Sequence, residues 1–88
     1  MKMTEITITR EALIEAGKLG GDLAMASIIS YLQQWPEGFW SQNVVENVAA
    51  FWDEPLVGVR EQMRKLIEAG AVLKRTSEAN GKPEYQLS

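Results

Sequence analysis

The chain has no cysteine and no histidine among its 88 residues. Without cysteine there is no disulfide, no thiolate nucleophile and no zinc site of the cysteine kind. Without histidine the commonest general base and metal ligand near neutral pH is missing. No long apolar run exists, so no membrane span is expected. The opening Met1-Lys2-Met3-Thr4-Glu5 lacks the apolar core of a signal segment. These absences lead us to expect a cytoplasmic protein that holds no metal and no cofactor. Catalysis is not expected either. Serine and threonine have no histidine to activate them. Asp53 and Glu54 are adjacent at a turn, where capping and solvation explain them. Gly17, Gly20 and Gly21 lack the Lys-Ser/Thr that follows a phosphate-binding loop, and no acids have calcium-loop spacing.

What is present is an ordinary globular composition, 45% apolar, in a chain of single-domain length. The formal net charge of −3 argues against strong non-specific phosphate binding. The charge is unevenly spread. Residues 1–54 hold three bases and eight acids, net −5, whereas residues 55–88 hold six bases and four acids, net +2. Chance can produce this, but so can a domain with one face suited to an anionic partner.

In chain order, Ile6-Thr7-Ile8-Thr9 alternates β-branched residues and reads as a short strand or extended arm. Thr9 can cap a short helix from Arg10 to Ala16, anchored by Leu13 and Ile14 and stopped at Gly17. Lys18-Leu19-Gly20-Gly21 is a break. Asp22 is an N-cap for a helix whose apolar stripe (Leu23, Ala26, Ser27, Ile28, Tyr31, Leu32, widened by Met25 and Ile29) is broad enough for a central position. Pro36 and Gly38 end it near Trp35. Phe39-Trp40 is a short apolar pair, and Ser41 is the candidate cap of a helix from Gln42 to about Trp52. Its apolar face is Val44, Val45, Val48, Ala49, Phe51 and Trp52.

Asp53-Glu54-Pro55 breaks the chain, with Pro55 suited to the first position of a helix that runs to Ala69. Leu56, Val59, Met63, Leu66 and Ile67 form its buried face, and Gly70 ends it. Ala71–Ser77 is the first strand of a hairpin with Asn80-Gly81 as a two-residue turn, which sets Thr76 opposite Tyr85. Val72, Lys74, Thr76, Tyr85 and Leu87 then share one face, and Arg75 points the other way. Leu13-Ile14-Glu15-Ala16-Gly17 recurs as Leu66-Ile67-Glu68-Ala69-Gly70, which reads as two similar helix ends and not as a duplication. Two further groups of residues allow a functional or a purely structural reading. Tyr31, Trp35, Phe39, Trp40, Phe51 and Trp52 are core packing or, at Trp35 and Trp40, a patch for a partner. Arg64, Lys65, Lys74, Arg75 and Lys82 are a solvated mixed-charge surface, given Glu61, Glu68, Glu78 and Glu84 among them, or a phosphate-contacting face.

The span from Ser41 to Leu87 resembles the winged helix-turn-helix superfamily. Two helices joined by a short turn come from Ser41 to Ala69, and the resemblance implies a short strand at Phe39-Trp40 that pairs with the hairpin. Val59, Met63, Leu66 and Gly70 are similar to the spacing that seats its recognition helix, and Val72, Asn80-Gly81-Lys82, Tyr85 and Leu87 look like its wing. With the helix from Asp22 the resemblance covers about three quarters of the chain. It implies a mainly α fold with a small antiparallel β-sheet, divided into residues 1–21, an N-terminal arm and short helix, and residues 22–88, a winged helix domain. It implies that the helix from Pro55 enters the major groove of double-stranded DNA while the wing touches the backbone or minor groove. By position, Val57, Gly58, Glu61 and Gln62 would face bases, and Arg60, Arg64, Lys65, Arg75 and Lys82 would hold phosphates, with Lys74 beside them. The implied function is a small DNA-binding protein: a transcriptional regulator, or a phage or mobile-element accessory factor, acting as a dimer. The alternative is a winged helix used as a protein-interaction module or inhibitor, joining a second copy or another protein through Trp35, Trp40 or the N-terminal segment.

Overall fold

The computed structural model describes residues 5–88. Met1–Thr4, where the expected arm begins and where the sequence lacks a signal core, lie outside the described residues. The elements run α1 (Arg10–Lys18), α2 (Leu23–Gln33), β1 (Ser41–Gln42), α3 (Val44–Trp52), α4 (Leu56–Glu68), β2 (Val72–Thr76) and β3 (Pro83–Leu87). The described residues are thus mainly helical, with one small antiparallel sheet.

α2 is the centre. All residues from Ala24 to Leu32 are buried. The Asp22 carboxylate starts the helix by accepting from the amides of Ala24 at 2.9 Å and Met25 at 3.2 Å. Gly21 precedes it because a Cβ there would lie 2.2 Å from Met25 Sδ. Leu23 is the exception to the expected stripe: at the first turn it is 53% exposed. Ser27, fully buried, is satisfied on both sides. Its hydroxyl donates to the Leu23 carbonyl at 2.7 Å and accepts from Trp52 Nε1 at 2.7 Å, which ties α2 to α3.

α1 packs on α2 through Ala12 and Ala16, not through Leu13 and Ile14, which stand 47% and 49% exposed. The small residues let the two backbones approach, and the larger ones on the neighbouring stripe are displaced outward. Thr9 caps α1 as expected, accepting from Ala12 N at 3.1 Å. It also anchors α1 to α2: its amide donates to Ser30 Oγ and its hydroxyl to Gln33 Oε1. The segment before it is not a strand, but Ile6 is buried in the core. Gly17 does not stop the helix, which continues through Lys18 and turns at Gly20 with φ +71°.

The short strand is Ser41–Gln42, two residues later than Phe39-Trp40, and it pairs with β3. Ser41 is therefore not a cap. Asn43 is, in the left-handed region at φ 61°, with no side-chain cap bond. Asp53 closes the other end of α3 at φ 53°, a conformation that asparagine and aspartate tolerate better than most residues. Pro55 flanks α4 in an extended conformation and is not its first helical residue. α4 buries Val59, Gln62, Met63 and Leu66, while Leu56 is 36% exposed.

The strand order is β1-β3-β2. Lys74 lies opposite Tyr85 and Thr76 opposite Pro83, a slip of two residues from the expected register. A slip of two leaves every side chain on its expected face. The cause is the loop. Ser77 N donates to Lys82 O and Gly81 N donates to Ser77 O, so residues 78–81 form the connection. Gly81 has φ +74° but Asn80 has no positive φ, and a type I′ turn needs both. Pairing alternates along an antiparallel ladder. With Ser77 and Ala71 bonded toward β3, the N–H and C=O groups of Val72, Lys74 and Thr76 face the outer edge, where they have no backbone partner among the described residues.

These packing contacts set opposite expectations for neighbouring residues on α1. Ala16→Leu is expected to lower stability by about 1–3 kcal/mol through overpacking, whereas Leu13→Ala stays within about 0.5 kcal/mol. Urea unfolding midpoints of the two variants test this, and a Leu13→Ala loss as large as that of Ala16→Leu would refute the packing.

Candidate nucleic-acid interface

Residues three or four apart on a helix share a face, which brings Arg60, Arg64 and Ile67 of α4 to one side. That side looks onto the hairpin, where Lys74 and Tyr85 are paired across β2 and β3. Between them, and closed at one end by the start of α3, lies an open cleft of about 800 Å³. Its charged lining is Arg60, Arg64, Lys74 and Lys82 against Glu46 and Glu68, net +2. Arg60, Lys74 and Lys82 form no ion pair among the described residues, so their charge is directed at solvent and at whatever enters.

Arg64 is committed elsewhere. It is clasped between Glu61 and Glu68 one turn to either side, forming an ion pair with each, and its Nε donates to Glu61 Oε1 at 3.0 Å. The hydrogen bond from Arg64 holds the Glu61 carboxyl below its ordinary range, and the two acids push the guanidinium further up. The charge of that part of α4 is largely cancelled locally. Exposed pairs of this kind contribute little to stability, but they alter what the helix presents to an anion.

Arg75 points to the opposite face of the sheet from Lys74, as alternation requires. There its Nε donates to Glu84 Oε1 at 2.8 Å and its guanidinium lies 4.3 Å from the centre of the Trp40 ring. Gln42 donates to the other Glu84 oxygen at 2.9 Å and exchanges hydrogen bonds with Asn80. Arg75, the largest influence, and Gln42 together hold the Glu84 carboxyl below its usual range. Arg75 is thus a structural cation of the outer sheet face. Gln62 is turned inward, 8% exposed, with Oε1 accepting from Asp22 N at 3.1 Å, so it joins α4 to the start of α2.

The residues expected to contact DNA are therefore divided. Arg60, Arg64, Lys74 and Lys82 meet at the cleft. Val57, 71% exposed, and Gly58, with open space where a Cβ would lie, stand on the first turns of α4 with Glu61. Lys65 is half-buried. Arg75 and Gln62 are elsewhere. Sequence reasoning did not single out Glu46 or Tyr85 as cleft residues. The hydroxyl of Tyr85 is pushed up chiefly by burial and further by the field of Glu46, with Arg60 opposing. The register of the hairpin was the signal that would have placed Tyr85 beside Lys74.

The aromatic residues separate as well. Tyr31, Trp35 and Phe39 form a ladder, with ring centres 6.1 Å and 5.0 Å apart, in which Trp35 and Phe39 remain 37% and 47% exposed. Trp40 lies under Arg75 on the sheet. No helix among the described residues is long and apolar enough to cross a membrane, and no group of metal-ligating side chains is found among them. No family model matches the chain, and no curated protein or solved structure shows detectable similarity to it.

The Arg75–Glu84 pair gives a pH dependence with a defined sign. A carboxyl lowered in the folded state adds stability that is complete above its unfolded value, 4.5, and is lost as pH falls through the folded value. Thermal midpoints are expected to fall on acidification below that value, and Glu84→Gln to flatten part of this fall. A Glu84→Gln profile parallel to the parent's would disprove the contribution.

Proposed function

We propose that this chain is a winged helix domain that binds double-stranded DNA in the cytoplasm, as a small regulator or accessory factor. The order helix, short strand, helix, helix and hairpin supports the fold reading. The observation that carries the functional one is electrostatic: a chain of net −3 presents a cleft of net +2 between α4 and the hairpin. Arg60, Lys74 and Lys82 would take phosphates there, at the place where a winged helix brings its helix and wing against one strand.

The clasp on Arg64 and the inward turn of Gln62 leave α4 with few free donors for base edges. Val57 and Gly58 allow close approach but read little. The binding we propose is accordingly dominated by backbone contact, with modest sequence selectivity. Few phosphate contacts per domain make dimerisation the route to useful affinity. A second reading, a protein-interaction module, is favoured by one observation: the exposed Trp35–Phe39 ladder is separate from the basic cleft.

Titration with duplex DNA at two salt concentrations tests the first reading. Each phosphate contact adds roughly 0.9 to the slope of log K against log salt. Removing two contacts in Arg60→Ala with Lys82→Ala is expected to reduce that slope by roughly 1.8. Arg75→Ala, on the other sheet face, is expected to leave it unchanged. Absence of binding at low salt would refute DNA binding.

A further inference from the structure

A phosphate backbone needs cations, but it does not need the floor beneath them. The floor of the cleft is Met63, Ile67, Pro83 and the ring of Tyr85, framed by Arg60, Lys74 and Lys82. Met63 and Tyr85 are almost fully buried, at 3% and 7% exposure, so they make a fixed apolar base and not a mobile surface. Ile67 is half-buried and Pro83 exposed, and these supply the accessible part. A volume of about 800 Å³ falls in the range of pockets that take small organic molecules.

We propose that this cleft binds a small amphipathic organic anion: an aromatic or alicyclic body with one carboxylate, sulfonate or phosphate. The body lies against Ile67 and Pro83 over Met63 and Tyr85. The anionic group is held at the rim by Arg60, Lys74 and Lys82. Charge complementarity selects the sign of the ligand, because the lining carries an excess of cations and those three have no acidic partner among the described residues. Occupancy by such an anion removes the same cations from any DNA backbone, so the two ligands exclude one another. This inference does not depend on the DNA reading, and its experiment separates them.

The probe is anilinonaphthalene sulfonate, which has the required aromatic body and single anionic group. Fluorescence titration of the full chain is expected to give one saturable site. Arg60→Glu and Ile67→Glu are each expected to weaken it at least tenfold, and Leu23→Ser, at an exposed apolar residue outside the cleft lining, to leave it unchanged. Circular dichroism confirms that each variant is folded; if Ile67→Glu is not, Pro83→Glu replaces it. No saturable binding, or binding indifferent to both cleft substitutions, overturns the proposal. Displacement by inorganic phosphate as effectively as by a naphthalene carboxylate also overturns it, because charge alone would then suffice. Dye binding that meets these criteria without any duplex binding upholds the pocket and refutes the DNA reading. Duplex binding without dye binding does the reverse. If both ligands bind, duplex DNA is expected to displace the dye.

Discussion

Burial of α2 on every side is the constraint from which the rest of the arrangement follows. A helix with residues 24–32 all buried needs partners around its whole circumference, and a chain of 88 residues has few to offer. α1, α3, α4 and β3 all contact it. Each helix attachment is made specific by a polar link: Thr9 to Ser30 and Gln33 for α1, Trp52 to Ser27 for α3, Gln62 to Asp22 for α4. Apolar burial alone is non-directional. These hydrogen bonds, each with one partner at a helix end (Thr9, Trp52 or Asp22), fix rotation and register, and no buried side-chain nitrogen or oxygen among the described residues is left without a partner.

The same demand explains which parts of the fold were legible in the sequence. Elements with a local chemical cause were: the Asp22 and Thr9 caps, the Gly70 stop and the sharing of one face by Val72, Lys74 and Tyr85. Elements decided by tertiary fit were not. On α1 two neighbouring stripes are apolar, and rank by hydrophobicity favours Leu13 and Ile14. Close approach to α2 instead selects Ala12 and Ala16. Phe39-Trp40 looks more like a strand than Ser41-Gln42, yet the ladder to β3 forms at Ser41, and Trp40 serves as a platform for Arg75. At the hairpin tip Asn80 uses its side chain to accept from Lys82 N, an Asx arrangement that suits a longer loop.

The candidate site was legible as a set of cations but not as a geometry. One-dimensional charge cannot distinguish Arg64, spent on Glu61 and Glu68, from Arg60, one turn away with no ion pair among the described residues. Strand alternation, by contrast, does show that adjacent Lys74 and Arg75 serve opposite faces of the sheet. Pairing with acids at i±3 and i±4 is in principle readable from helix spacing. Glu61-Arg64-Glu68 is such a pattern, and its meaning here is subtraction: it lowers the usable charge of the helix that carries it.

The outer edge of β2 extends this point to the behaviour of the protein in concentrated solution. Val72, Lys74 and Thr76 present to one side of the sheet backbone groups that have no backbone partner among the described residues, and Leu73 beside them is 46% exposed. Such an edge is a template for strand pairing between molecules, and a lysine in its middle makes that pairing unfavourable. Lys74 thus places a charge in the path of a second strand as well as lining the cleft. The cation that the proposed anion site uses is also one that opposes continuation of one copy's sheet into the next.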